Sequence, residues 1–347
     1  MKTSALCLLL VSLPPAWVSA QVTVYSDIGG FDTITVGGTG GLGSKTTFAA
    51  AEFLQSAKYS GIATAVGPDT ITDAAATWAD DAFNGANGSH YVEIVSVNGS
   101  TTASAVGTTR SIVATVAATK TITLGAALPA GLVAPVEYRV VSHWTLAAIF
   151  GSNNTAGLKS GTALSADQVQ LWNGSGYESY YYQTEGLGGT GWRKVGDQTS
   201  DASNVVIRPE QSMIIKRVDV AALPLLVNGW VKTGKTVFDI AQGFNFVPNP
   251  YSKAMTLASC GLYTGSAATG ISAGSLTSSD QVLVWNGAGY ETFYYQNSGL
   301  GGTGWRKVGE LSTDASGKSI PPGNCIIVRR MNSQGFAWTI PQHPTAF

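Results

Sequence analysis

The segment GLGGTGWRKVG occurs twice, at residues 186–196 and 299–309. Each copy holds G-x-G-x-x-G, the spacing that cradles a dinucleotide pyrophosphate. That chemistry needs the glycines to follow a strand and open a helix, because the helix N-terminus supplies the amides that hold the phosphates. Here they run into Trp-Arg-Lys-Val-Gly, which alternates and ends in glycine. No helix starts there, and the loop reads as a glycine-rich hairpin tip. GGTGGLGS (37–44) fails as a phosphate loop because Ser44 separates Gly43 from Lys45.

Carboxylates and histidines give no stronger signal. Asp167 and Glu178 recur as Asp280 and Glu291. Glycoside hydrolysis needs two carboxyls about 5–10 Å apart in one cleft. A pair kept in both halves of a duplication serves the fold of the repeated unit better than a reaction. Outside the first twenty residues the histidines are His90, His143 and His343, none at metal-ligand spacing from another candidate ligand. The chain has no H-E-x-x-H, C-x-x-C or G-x-S-x-G. DQTSDASN (197–204) offers oxygens for calcium, but its second copy, ELSTDASG, changes its first aspartate and its last residue. No catalytic residue, metal ligand or cofactor is assigned.

The aromatic residues carry the one binding hypothesis. Trp172, Tyr177 and Trp192 recur as Trp285, Tyr290 and Trp305, with Tyr181 and Tyr182 matched by Tyr294 and Tyr295. On adjacent strands such rings form either a platform for sugar rings or a core, each burying about 150–250 Å². Strand alternation sends some inward and others outward, so both readings stand. The duplicated Arg193-Lys194 and Arg306-Lys307 offer a cation to stack on an outward ring.

These residues sit in a repeat. DQVQLWNGSGYESYYYQTEGLGGTGWRKVGD (167–197) and DQVLVWNGAGYETFYYQNSGLGGTGWRKVGE (280–310) share 23 of 31 positions at an offset of 113. The register continues through VVIRPEQSMIIKR (205–217) and KSIPPGNCIIVRR (318–330). Period-two alternation predicts four strands per copy: QVLVW, a return through ETFYYQ after Asn286-Gly287, then GWRKVG and NCIIVRR. Upstream, VTVYS, DTITV, YSGIATAV, DTITD, HYVEIVSV, RSIVATV, KTITLG and VEYRVVS read as short strands of a barrel or sandwich. TFAAAEFLQSA (47–57) fits helix or strand.

Composition sets the class. Charged residues are 12% of the 347-residue chain, aromatics 10%, and the net charge is −1. That balance lacks the basic stripe that nucleic acid or an anionic membrane requires. MKTSALCLLLVSLPPAWVSA (1–20) reads as a secretory signal peptide, and no later stretch is long and apolar enough to be a transmembrane helix. Beyond it, Cys260 and Cys325 are candidates for a disulfide closing about 65 residues, worth about 4 kcal/mol in a chain-entropy view. Two buried free thiols are the alternative.

The pattern D-Q-[LV]…Y-Y…W-R-K-V-G…P-G…I-I-[VI]-[KR] resembles a family of exported bacterial proteins best known from verrucomicrobial genomes. SDIGGF (26–31), SGIATAVGPDTITD (60–73) and YRVVSHWTLAAIF (138–150) are similar to that family's leader region. Its members join the aromatic strand to W-R-K-V-G by a shorter turn, so the glycine loops read as insertions. GFNFVPNPY (243–251) resembles the opening of β modules common in secreted and surface proteins. The resemblance implies export and brings no activity or catalytic residues with it.

The expectation is an all-β protein, a small N-terminal β-barrel or sandwich followed by two homologous β modules. Its divisions are a signal peptide (1–20), an N-terminal β domain (21–143), module copy 1 (144–217), a linking segment (218–254) and copy 2 with a tail (255–347). The expected function is non-enzymatic: a structural or adhesive protein outside the cell, self-associating through edge strands. The alternatives are a carbohydrate-binding protein using the duplicated rings, and an exported hydrolase. Expected partners are a second copy of itself or an extracellular polysaccharide.

Overall fold

The computed structural model describes residues 28–41 and 43–341, apart from the side chain of Asn87. The expected signal peptide, the strand VTVYS (22–26) and the tail from 342, with His343, lie outside the described residues. The architecture is all-β, and the single described α-helix is one short turn, Leu146–Phe150. No helix among the described residues is long and apolar enough to cross a membrane.

Alternation builds the repeated sheets. Val282 and Val284 are buried while Leu283 and Trp285 on the other face are half-buried. Gln281–Trp285 pairs antiparallel with Tyr290–Gln296, which pairs with Gly304–Lys307. The connecting loop is four residues long, with Asn286 Oδ1 accepting the amides of Ala288 and Gly289. On its other side the first strand pairs with Cys325–Arg330. Copy 1 repeats this with Gln168–Trp172, Tyr177–Gln183, Gly191–Lys194 and Met213–Arg217.

Each sheet has a fifth strand that sequence identity does not reveal. Gly243–Pro248 completes copy 2, and Lys45–Ala49 completes copy 1. A second layer covers each: Gly29–Val36 with Leu223–Val231 in copy 1, Thr236–Ile240 with Phe336–Ile340 in copy 2. The stretch 218–254 thus closes one module and opens the next, and residues 29–54 belong to copy 1. TFAAAEFLQSA (47–57) holds the end of Lys45–Ala49 and the short strand Phe53–Leu54, with irregular backbone at 50–52 and no helix. The two modules therefore run over 29–54 with 144–231, and over 236–340.

The remaining strands, residues 57–142, are inserted within copy 1. They form one seven-stranded sheet whose two ends are Ala57–Ala63 and Ala65–Val66. These are halves of one bent strand, so the sheet closes into a barrel around Ile71, Ile94, Ile122, Val136 and Tyr138. Full closure leaves no free edge. The chain's two crossings are tied together: Gln55 Nε2 donates to His143 O at 2.9 Å and Trp144 Nε1 to Phe53 O at 2.8 Å. The barrel docks on the modules through the buried pair Glu93–Lys232, with Arg139 on the same carboxylate at 2.8 Å.

The modules meet by exchanging one ring each. Phe48 of copy 1 packs against Trp285 and Tyr290, and Phe246 of copy 2 against Trp172 and Tyr177, at centroid distances of 5.1–5.5 Å. Phe48 lies opposite Ile214 and Phe246 opposite Ile327, positions related by the repeat offset. The contact is therefore a pseudo-two-fold within one chain.

Candidate functional site

The duplicated carboxylates hold the modules together. Asp167 and Arg217 form a buried pair at 2.6 Å, and Asp280 pairs with Arg330 in the same way. Asp167 also accepts the amides of Lys159 and Val218; Asp280 accepts those of Ser272 and Met331. Glu178 binds Lys194 and the Tyr180 hydroxyl, and Glu291 binds Lys307 and Lys318. Asp167 precedes the strand on which Leu171 faces Glu178. Four residues at about 3.3 Å each put the two carboxyls at opposite strand ends. Asp197 and Asp201 cap their own turns through the amides of Thr199, Ser200 and Ser203.

The glycine loops are packed against the side chains of their own module. Arg193 is buried and turns into its loop, donating to the carbonyls of Gly188, Gly189, Trp192 and Gln198. Gln183 Nε2 adds bonds to the carbonyls of Leu187 at 2.7 Å and Gly189 at 2.9 Å. Arg306 and Gln296 repeat the clasp in copy 2. Neither arginine is free to stack on an outward ring. Gly188 has φ +81°, and a Cβ there would lie 2.5 Å from Gln198 O; Gly189, at φ +70°, faces open space. Gly189→Ala is therefore expected to cost about 1 kcal/mol, the left-handed penalty alone, and Gly188→Ala about 2–3 kcal/mol. Urea denaturation of the two variants checks the order.

The predicted binding rings divide between core and interface. Trp192 is fully buried and Trp305 is 3% exposed, so neither reaches a ligand. Each fills a module core in which few leucines are available. Trp172, Tyr177, Trp285 and Tyr290 lie at the module contact, and the two tyrosines are 41% exposed. Their rings are set edge-on: 65° between Trp172 and Tyr177, 67° between Trp285 and Tyr290. Tilted rings that pack on a phenylalanine of the other module present no flat face to a sugar.

Cys260 and Cys325 are free and buried, a correction to the disulfide expectation. Cys260 sits in the copy 2 core, its Sγ toward Leu257 O and its carbonyl accepting Trp338 Nε1. Cys325 sits instead with Phe48 and Ile214 at the module contact, beside Ser212, its counterpart in copy 1. Burial pushes both thiols up to about 12.

An aromatic surface does exist, in a place the repeat does not mark. On the paired strands Gly29–Val36 and Leu223–Val231 the outward residues include Phe31, Thr33, Thr35, Pro224, Leu226, Asn228 and Trp230. Phe31 is 76% exposed and Leu226 58%. Asn228 lies directly opposite Phe31, and Trp230 opposite Gly29. Glycines 29, 30 and 229 form the floor of a shallow groove of about 750 Å³ between these rings. The outward positions carry no ionisable group. The matching layer of copy 2 turns Ala337 and Thr339 outward instead.

Two buried titrating groups stand out near the junction of barrel and modules. Glu52 is 1% exposed, and neither carboxylate oxygen has a hydrogen-bond partner of good geometry. Burial, then the neighbouring Asp32 carboxylate, pushes it up to about 8. Between pH 4.5 and 8 the folded state holds a proton that the unfolded chain has lost, so stability falls as pH rises through that window. His143, buried and held down to about 3, acts oppositely below pH 6.5. From pH 6.5 towards 8, Glu52 contributes a loss of at most about 1.4 kcal/mol per pH unit, shrinking as the folded-state proton is released. Glu52→Gln is expected to remove that slope in urea midpoints measured across this range.

His143 Nε2 lies 3.0 Å from Ser111 Oγ. The contact has the form of a nucleophile and its base, but Nδ1 is buried without a partner, so no acid orients the imidazole. Burial, reinforced by Arg208, keeps the ring neutral and weakly basic. Sequence reading missed this contact because 32 residues and a barrel closure separate the two side chains. No protein-family model matches the chain, and neither a curated protein nor a solved structure matches it.

Proposed function

We propose that the protein is an exported, non-enzymatic adhesive or structural protein that attaches to a neutral polysaccharide through the face bearing Phe31, Asn228 and Trp230. The observation that carries this reading is the uncharged aromatic groove itself. Two rings, Phe31 exposed and Trp230 half-buried, flank an amide over a glycine floor. Apolar faces with a few placed polar groups suit neutral ring ligands, and the absence of ionisable groups disfavours charged ones. The leader residues and the low net charge agree with work outside the cell. Carbohydrate binding thereby passes from the duplicated rings to rings present once.

Co-sedimentation with cellulose, xylan and chitin tests the reading. At least one is expected to retain the protein, with retention lost in Phe31→Ala and Trp230→Ala and kept in Tyr177→Ala. Retention by none, or equal retention by every variant, overturns it. A second reading has its own observation: among the described residues, Gly29–Val36 is the edge of its three-stranded layer, with no strand paired to its outer side. Such an edge accepts another strand. Sedimentation velocity is expected to show association that rises with concentration and is abolished by Thr33→Pro; a monomer at all concentrations removes this second reading alone.

A further inference from the structure

The turn Arg208–Gln211 departs from its copy in an informative way. At the repeat offset, Arg208 and Glu210 match Pro321 and Gly323. Both turns close in the same manner, Gln211 N onto Arg208 O and Asn324 N onto Pro321 O. In copy 2 the turn is structural: Gly323 O accepts Ala50 N at 2.8 Å, tying the modules together. In copy 1 the same positions carry two opposite charges. Among the described residues, neither side chain makes an ion pair or a hydrogen bond with another residue. A feature kept in both copies serves the fold; unpaired charges placed in one copy alone do not.

Both residues line a cleft of about 500 Å³ where the barrel meets the modules. That volume lies within the range of about 300–1,000 Å³ typical of small-molecule sites. Its lining is mixed: Val113 is exposed beside Ala126 and Pro209, while Val237 and Phe238 of copy 2 lie buried beneath. Arg110 and Asp239 also reach the cleft but satisfy each other at 2.9 Å. His143 and Ser111 form the far side, the imidazole buried with Nδ1 unpartnered. Burial raises the Glu210 carboxyl above its usual range, with Arg208 and Arg110 pulling it back. The free groups are thus one guanidinium, one partly desolvated carboxylate, and apolar surface around them.

We propose that this cleft binds a small zwitterion with apolar side chains, a dipeptide, its carboxylate on Arg208 and its ammonium on Glu210. A guanidinium grips a carboxylate through two parallel bonds, and a desolvated carboxylate gains most from an ammonium that arrives with its own charge. A ligand with only one charge would leave the other protein group unpaired in the cleft. Val113, Ala126 and Pro209 take the side chains. The proposal is independent of the polysaccharide reading, which concerns a different face of the protein.

Isothermal titration of L-leucyl-L-leucine into the full chain tests it, beside the same dipeptide acetylated at the amine, amidated at the carboxylate, or both. The free dipeptide is expected to bind, and each cap to weaken binding at least tenfold. Arg208→Gln is expected to erase the penalty for the amide cap alone, and Glu210→Gln that for the acetyl cap alone. Exchanging the turn for its copy, Arg208→Pro with Glu210→Gly, is expected to abolish binding with an unchanged melting temperature. Absence of binding by folded protein, or caps and substitutions without effect, overturns the proposal. Release of free leucine overturns it too, since the cleft would then be a peptidase site built on Ser111 and His143.

Discussion

Asp280→Ala is expected to be the most destabilising single change in the second module, by about 3–5 kcal/mol from the uncompensated charge alone. Asp280 and Arg330 are both fully buried, and removing the carboxylate leaves a guanidinium with no other anion in reach among the described residues. The amides of Ser272 and Met331 lose their acceptor at the same time. Buried donors left unpaired add about 1–3 kcal/mol each. Against a domain stability of about 5–15 kcal/mol, a loss of this size leaves the module marginal or unfolded. The first module offers an internal comparison. Arg217 keeps a second carboxylate, Asp219, at 3.7 Å after Asp167 is gone, and among the described residues Arg330 has no such reserve. Asp167→Ala should therefore cost less than Asp280→Ala in urea denaturation followed by far-ultraviolet circular dichroism. The double variant Asp280→Ala, Arg330→Met should recover much of the loss, because it removes the stranded charge and leaves an apolar side chain in its place. Equal costs in the two modules, or no recovery in the double variant, would show that the ion pair does not organise the fold.

The strands were legible because alternation is a local property. QVQLW states its own buried face, and TITL and VEYRVVS in the barrel nearly do; YESYYYQ, MIIKR and HYVEIVSV hold runs of buried residues and are legible through β-prone side chains instead. Module boundaries were not legible, because Lys45–Ala49 and Gly243–Pro248 occupy one topological place with unlike residues, KTTFA and GFNFVP. Pairing partners for an edge strand are set by long-range closure, and the barrel insertion places about ninety residues between Ala49 and the rest of its module. The duplicated aromatic and charged residues were visible, but their direction was not. Arg193 reads as a surface cation until its loop is seen folded around it. The logic of the repeat itself pointed the right way for the carboxylates: what is kept in both copies holds each copy together. Its converse marks Phe31, Trp230, Arg208 and Glu210, which are ordinary in sequence and gain meaning only beside the positions they do not match.

Trp192→Ala is expected to cost about 3–5 kcal/mol, the range for deleting a large aromatic from a core. The indole is fully buried between Phe150 at 5.7 Å and Tyr182 at 5.5 Å, and its Nε1 donates to Gly151 O at 2.9 Å. Trp305 occupies the same place against Tyr295, with no such bond to a backbone carbonyl among the described residues. The difference separates packing from polar loss. Trp305→Phe should cost packing only, whereas Trp192→Phe should cost an additional 0.5–1.5 kcal/mol or so for the bond to Gly151. The same pair of residues discriminates between the two places a glycan could bind. If polysaccharide binding used the duplicated rings, Trp192→Phe would weaken retention on the polymer while the protein stayed folded. With the groove as the binding face, Trp192→Phe should lower the urea midpoint and leave retention intact, and Trp230→Ala should do the reverse. A variant pair that moves stability and binding in opposite directions can arise only if the indoles of the repeat face inward and the ring at 230 faces the ligand.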